Sequence, residues 1–528
     1  MTRFFNTTGP CEPRRHYMLP PSDRLIGAQL RRYIQDELFW VLHAPRQTGK
    51  TTFLQSWMRQ INGSGEAIAC YVSVESCQGI SEADRSIPLI IAAIERFAQT
   101  NMLPRPFKPD PGSTPPGEML AKVLHDWAVE TAPLPLIVLF DEVDVLQDQT
   151  MVSFLRQLRS GFSSRGIGKF PVSVALVGMR DLRDYLIKSK DGVAVNPGSP
   201  FNIKQDSVTL SNFSRADVGK LLAQHTEETG QPFEPAAVEL VFELTCGQPW
   251  LVNAIAQKCA WNLVPQESRA EITVNHIRQA KELLISDRAV HLDSLSERLK
   301  DSKVRRIVEA IMIGKTDVTI GRADRDVEFC FDLGLIRWDD GLRIANPIYQ
   351  EIISRLLSQN YQDNIPSPNF AWRRPDGTLD MSALLKNFQA FWRRNSDTWE
   401  QKADYTEAFP HLLLMAFLQR VINGGGRIDR EYAAGRGRVD LAVEFGGAWS
   451  VIEIKLVHPQ DGRETTIADG LVQTAAYRDR IDPCAEAFLV VFDRRPEART
   501  RTWDERLTWE SCTTLISGSA RSITVIGA

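Results

Sequence analysis

Ala44-Pro-Arg-Gln-Thr-Gly-Lys-Thr51 is the stretch whose reading decides the fold. The apolar run before it, Leu38-Phe-Trp-Val-Leu-His43, predicts a buried strand. The run after it, Thr52-Phe-Leu-Gln-Ser-Trp-Met58, predicts the start of a helix. A turn with Gly-Lys-Thr between strand and helix is a phosphate-binding loop. Backbone N–H groups of such a loop wrap phosphate oxygens, and the positive end of the helix dipole adds to them. Arg46, Gln47, Thr48, Gly49, Lys50, Thr51 and Thr52 are therefore the phosphate-binding candidates. Lys50 would reach the β- and γ-phosphates, and Thr51 would put its hydroxyl on Mg²⁺. Ala44 stands where a first glycine is usual. A methyl is tolerable there because the closest backbone approach falls near Gly49.

A second apolar run, Leu134-Pro-Leu-Ile-Val-Leu-Phe-Asp-Glu142, has prolines only at its start and predicts a central parallel strand. It ends in two acids. Asp141 suits the carboxylate that holds Mg²⁺, and Glu142 suits the base that orients the attacking water. Acids at a strand end also serve as helix caps; a phosphate loop upstream favours the catalytic reading. A third strand, Val172-Ser-Val-Ala-Leu-Val-Gly178, should end beside Asp141. Arg180 just beyond it is either a γ-phosphate sensor or a surface arginine.

These residues resemble the AAA-like ATPases related to the origin-recognition and STAND groups. The resemblance covers roughly residues 1–355, with support from Phe5-Asn-Thr-Thr-Gly-Pro10, His16-Tyr-Met-Leu-Pro20, Ser199-Pro-Phe-Asn-Ile203 and Thr245-Cys-Gly-Gln-Pro249. It implies ATP and Mg²⁺ as cofactors, and an adenine wall to which His16, Tyr17 and Arg24 are candidates. It also implies a small helical lid after the core.

At 528 residues the chain is too long for one core, and about three domains is the prior. Apolar content of 43% and charged content of 24% are those of a soluble globular protein. A net charge of −4 does not announce a nucleic-acid binder, although a local basic surface would suffice for one. The cysteines at 11, 70, 77, 246, 259, 330, 484 and 512 form no zinc spacing and no paired framework. They read as free thiols. With neither a secretory pattern nor an apolar run of about 18 residues, the expectation is a cytoplasmic protein with no membrane partner.

Residues 205–290 read as helical. Val304–Ile313, a helix near 322–328 and a hairpin about Asp339-Asp-Gly341 resemble a winged helix; its acids cancel its arginines, so packing is favoured over DNA contact. Tyr361-Gln-Asp-Asn-Ile-Pro-Ser-Pro-Asn369 cannot continue a helix and reads as a linker. Phe388, Phe391, Trp392, Arg393, Arg394 and Trp399 follow on a helical stretch. They form either a core face or a nucleic-acid surface.

The last constellation is Gly435-Arg-Gly-Arg-Val-Asp-Leu-Ala-Val-Glu-Phe445, Gly446-Gly447, Ala448-Trp-Ser-Val-Ile-Glu-Ile-Lys-Leu456. Two strands about Gly-Gly predict a tight hairpin. With the glycines as its loop, Asp440 lies opposite Glu453, and Lys455 shares their face. Opposed carboxylates need compensation. Mg²⁺ or Mn²⁺ supplies it in one reading; Lys455 simply neutralises them in the other. A helix expected from Thr406 carries Glu407, and a later helix carries Gln473 and Tyr477. Helix, hairpin with Asp and Glu-x-Lys, then helix resembles the PD-(D/E)XK nuclease superfamily over about residues 400–495. The resemblance implies Glu407, Asp440, Glu453 and Lys455 as active-site residues, with Asp440 and Glu453 on the metal and Gln473 auxiliary. Val439 replaces the usual proline before the aspartate.

The expected fold is α/β: a P-loop NTPase core (1–204) with a helical lid (205–298) and winged helix (299–358). A linker and connecting helix (359–400) then lead to a separate α/β restriction-endonuclease-like domain (401–528). The expected function is ATP hydrolysis coupled to metal-dependent cleavage of nucleic acid, DNA in the first place, in defence or mobile elements. The alternative is a nucleotide-switched DNA-binding or scaffold protein that does not cut. Homo-oligomerisation is left open.

Overall fold

The structure is a computed structural model. It describes the chain except residues 1, 27, 101–102, 104–106, 181–186, 189–193, 196–203, 266–268, 287–294, 313–323, 340, 363–371, 401–412, 416, 419–425, 435–436, 458–461, 494 and 517–518. The fold divides into two units, residues 1–307 with 316–349 and residues 308–315 with 350–528.

The first unit is built on β1 (Leu25–Ile26), β2 (Phe39–His43), β3 (Ile68–Ser73), β4 (Leu136–Asp141), β5 (Ser173–Gly178) and β6 (Lys204–Leu210), in the spatial order β1-β6-β2-β5-β4-β3. All pairs are parallel except β1 on β6. Alternate residues of the central strands point to opposite faces. Phe39, Val41, Val138, Phe140 and Leu176 pack with α3 (Ala83–Ala98), α4 (Pro116–Thr131) and α5 (Asp148–Ser163). Trp40, Leu42, Ile137, Leu139 and Val177 pack with α1 (Leu30–Gln35) and α2 (Lys50–Ser64). Burial on both faces is why these strands read as unbroken apolar runs. Because the strands are parallel, the turns after β2, β4 and β5 open on one edge of the sheet, where such folds bind ligands.

One expectation is corrected. Residues 205–210 are not helical but belong to β6, so the core sheet runs past position 204. Val208 and Leu210 are buried, while Ser207 and Thr209 lie between and beside them. Two apolar positions are too few to show a strand period, and the neighbouring β2 supplies the hydrogen bonds that decide it.

Helices follow: α6 (Arg215–Thr229), α7 (Pro235–Thr245), α8 (Pro249–Gln257) and α9 (Val274–Ser286). Ser214 and Asp217 form a capping box at α6. After α10 (Ser302–Met312) comes α11 (Arg325–Asp332), then the hairpin β7 (Ile336–Trp338) and β8 (Leu342–Ile344), paired Trp338 to Leu342. The expected helix start at Arg322 lies outside the described residues. Arg306 pairs with both Asp324 and Asp326, so the acids here are satisfied locally.

The second unit holds α12 (Pro347–Gln362, entered from the first), α13 (Met381–Glu400), β9 (Gly426–Ala434), β10 (Gly437–Phe445), β11 (Ala448–Val457), α14 (Arg463–Ile481), β12 (Glu486–Asp493), β13 (Trp509–Ile516) and β14 (Ser519–Gly527). Its sheet order is β9-β10-β11-β12-β14-β13. The first three strands form an antiparallel meander; α14 then crosses to β12, parallel to β11. Phe388, Phe391 and Trp392 are buried, with Trp392 5.0 Å from Phe492. The aromatic face of α13 is thus core, and Arg393 points to Asp504. Among the described residues, no helix is long and apolar enough to cross a membrane.

Residues 363–369 of the expected linker lie outside the description. Limited proteolysis within 361–371 is expected to release a C-terminal fragment that resists further cleavage. Uniform degradation of that fragment would show that it has no core of its own.

Candidate functional site

The phosphate loop turns at Gln47 (φ 59°) and Gly49 (φ 95°). Glycine is needed at 49 for its left-handed φ; a Cβ there would meet only the end of the Arg24 side chain, at 2.9 Å. Lys50 folds back over the loop and donates to the carbonyls of Ala44 (2.7 Å) and Pro45 (2.9 Å). Thr51 Oγ1 donates to Asp141 Oδ2 at 2.7 Å. The loop after β2 and the acid at the end of β4 therefore meet, although β5 lies between their strands.

Two residues of β3 complete the acid end, and the sequence reading missed both. Tyr71 OH donates to Asp141 Oδ2 (3.1 Å), and Ser73 Oγ donates to Glu142 Oε2 (2.6 Å). Pairing of Ser73 with Asp141 across β3 and β4 puts them there. No local signal marks either residue, since Tyr71 and Ser73 read as ordinary strand positions. Glu142 sits at φ 63°, with its N–H on Asp141 Oδ1.

A cavity of about 740 Å³ opens over these groups. Its lining includes Arg46 through Thr52, Asp141, Glu142 and Asp144. Tyr17 and Arg24 line it as well, along with Trp250 and Asn253 of α8. Trp250 Nε1 donates to Thr7 O, tying α8 to the N-terminal segment. His16 instead bonds Glu12 N–H and packs edge-on against Phe4. Arg180 is held by Asp332 of α11 at 3.1 Å and lies over the Phe329 ring, while its neighbour Met179 lines the cavity.

Burial dominates the electrostatics. It raises the carboxyls of Asp141 and Glu142 above the usual range, against the hydrogen bonds from Thr51 and Ser73. It pushes the Lys50 ammonium down to about 8, against the attraction of Asp141 and Asp144. Raised carboxyls and a lowered ammonium around one cavity are the perturbations that mark a candidate functional site.

In the second unit, the hairpin pairs Phe445 with Ala448 and continues to Leu441 with Ile452, as Gly446-Gly447 in the turn requires. The two glycines have φ 61° and 81°, which the tight turn needs. The described pairing ends at Leu441 with Ile452, so the expected facing of Asp440 and Glu453 is an extension of it by one step. The side chain of Asp440 is outside the description, as is Glu407 altogether. Of the expected helix over 406–418, residues 413–415 and 417–418 are described and helical. Glu453 is buried and pairs with Lys455 Nζ at 2.9 Å; Lys455 also donates to Gln473 Oε1 at 2.6 Å. Gln473 reaches it from α14, which packs on the same face of β11 and β12.

No family model matches this sequence, nor does any curated protein. Similar solved structures include a Walker-type ATPase of Pyrococcus abyssi, with 15% identity over 66% of this chain and 99% of that one and a TM-score of 0.47. Cdc6p of Pyrobaculum aerophilum is 16% identical over 61% of this chain and 88% of its own, with a TM-score of 0.34. The RuvB Holliday junction branch migration motor of Thermotoga maritima is 13% identical over 61% and 91%, with a TM-score of 0.32. At such identities and overlaps the likeness carries no functional argument.

Lys50 yields a pH prediction. Its folded value, about 8, is below its ordinary 10.5. Below pH 8 it is charged in both states, and burial costs the full amount. Between 8 and 10.5 the unfolded chain binds more protons, so this contribution to stability rises with pH. The difference in unfolding free energy between ligand-free wild type and Lys50→Met should shift toward wild type by about 2 kcal/mol across that window, allowing for partial exposure of the side chain. Denaturant melts from pH 7.5 to 10.5 measure it; a flat difference would mean that the ammonium is not desolvated.

Proposed function

We propose that the first unit binds and hydrolyses ATP, and that the second is a metal-dependent nuclease domain of PD-(D/E)XK type acting on DNA. The observation that carries the ATP half is the 2.7 Å bond from Thr51 to Asp141. It joins the phosphate loop to the acid strand in one cavity. Thr51 and Asp141 are the residues that would hold Mg²⁺, which neutralises triphosphate charge when bound. Lys50 then exchanges its two carbonyl partners for phosphate oxygens. Glu142, whose basicity is raised by burial, accepts the proton of the attacking water. Ser73 holds that carboxylate at 2.6 Å until substrate is in place.

The nuclease half is supported by the register of β10 on β11 and by the Glu453–Lys455–Gln473 chain. Asp440 and Glu453 are the residues that would hold Mg²⁺ or Mn²⁺. Lys455, steadied by Gln473, would orient water or phosphate. The helices from α6 to α9 would serve as a lid over the nucleotide, and α10, α11 and the β7–β8 hairpin as a winged helix. We place the protein in the cytoplasm, in defence or mobile-element biology. A second reading, a nucleotide-switched scaffold or DNA-binding protein that does not cut, is favoured by the direct Glu453–Lys455 pair. That contact neutralises the acid without a metal.

Plasmid nicking with and without ATP and Mg²⁺ separates the two readings. Asp440→Ala, Glu453→Ala and Lys455→Ala should each abolish nicking and leave ATPase activity largely intact. Glu142→Gln should keep ATP binding while slowing hydrolysis about 100-fold or more. Wild-type protein that hydrolyses ATP but cuts no DNA or RNA offered would leave the scaffold reading in place.

A further inference from the structure

Arg24 precedes β1 and is expected, on the resemblance above, to line the adenine. It lines the cavity, and its bonds run to the phosphate loop and to the chain after β6. Only 8% of its surface is exposed. Nη2 donates to the carbonyl of Thr48 in the phosphate loop at 2.8 Å. Nη1 donates to the carbonyl of Ser211 at 2.9 Å. Ser211 answers with its own N–H and hydroxyl, both on Arg24 O at 2.9 Å. The guanidinium lies over the ring of Phe213, 4.8 Å from its centroid.

Ser211 and Phe213 are the residues through which the chain leaves β6 for the helices. Phe213 N–H bonds Gly247 O at 2.8 Å, in the turn between α7 and α8. A Cβ on Gly247 would come within 1.8 Å of Phe213 O, so this contact leaves no slack. Ser214 then caps α6. One guanidinium thus joins three parts of the site: the loop that would hold phosphates, the end of β6, and, through Phe213, the turn that opens α8. Arg24 also makes no ion pair among the described residues, and burial lowers it to about 10. Its hydrogen-bond partners among the described residues are carbonyls, and the attraction of Asp217 offsets only part of the cost of burying the charge. Its place in the cavity wall puts it where an anionic ligand would relieve that cost.

We infer that Arg24 is a positioning residue that locks the phosphate loop to the entrance of the helical region and transmits occupancy of the loop to α6–α8. A lysine cannot replace it. Two carbonyls on different elements need the two arms of a planar fork, and an ammonium on a flexible stem is a point donor.

The ATP-dependent part of this inference rests on the nucleotide reading; the mechanical part does not. Hydrogen exchange on wild type, Arg24→Lys and Arg24→Ala separates them. Without nucleotide, both variants should exchange faster at residues 45–52 and at 211–222 together, with the α3–α5 layer unchanged. With ATP, wild type should gain protection in both segments. The variants should bind roughly tenfold or more weakly, the loss expected for hydrogen bonds to a charged group. When saturated, they should protect 45–52 but no longer 211–222. Should Arg24→Ala fail to fold, Arg24→Lys, which keeps charge and bulk, decides the matter. Ligand-free exchange that rises in one segment alone overturns the lock, as does unchanged exchange in both. Protection of 211–222 in saturated variants overturns the transmission. Wild type that does not bind ATP would sink the nucleotide reading and refute transmission by ATP, and the ligand-free comparison would still judge the lock.

Discussion

A hydroxyl and a carboxylate 90 residues apart, Thr51 and Asp141, meet at 2.7 Å, and the nucleotide-site reading hangs on that contact. It forms because β2 and β4 are parallel and flank β5, so that the loop following one strand overhangs the end of the other. Parallel strands with helices on both faces bury nearly everything except their ends. The charged groups of the site are gathered at those ends, where water is scarce. This arrangement lowers Lys50, raises Asp141 and Glu142, and makes a phosphate-bearing ligand with its cation a natural complement.

The same scarcity of water explains the small contacts around the acids. Tyr71 and Ser73 carry no charge and look incidental in the sequence. Tyr71 adds a second donor to the Asp141 oxygen that Thr51 bonds, and Ser73 bonds one oxygen of the half-buried Glu142. Lys50 spends its protons on two loop carbonyls, a set of partners that a phosphate can displace without repacking anything. Arg24 instead ties the loop to the chain that leaves the sheet.

The second unit uses different physics for a similar end. Its candidate site lies on an antiparallel hairpin whose turn sets the register of the two strands. A helix laid across the same face adds one amide. Lys455 is the link, pairing with Glu453 on its own strand and with Gln473 on α14.

The sequence by itself determined whatever depends on local pattern. The loop at 44–51 lies between two apolar runs, and the acids at 141–142 end another. Gly446-Gly447 determined a register that reaches Leu441 with Ile452. These were legible because glycine geometry, strand alternation and motif spacing act within about ten residues. Only the tertiary structure decided the rest. Residues 205–210 became a strand because β2 and β1 offered their edges. Arg180 went to Asp332, and Phe388, Phe391 and Trp392 went into the core. Arg24 lines the cavity and is bonded there to the phosphate loop and to the chain that leaves β6. In each case the partner is distant in sequence, and the side chain's own chemistry allows several. Long-range packing chose among them, since burying a charge or a ring fixes where it must find its partners.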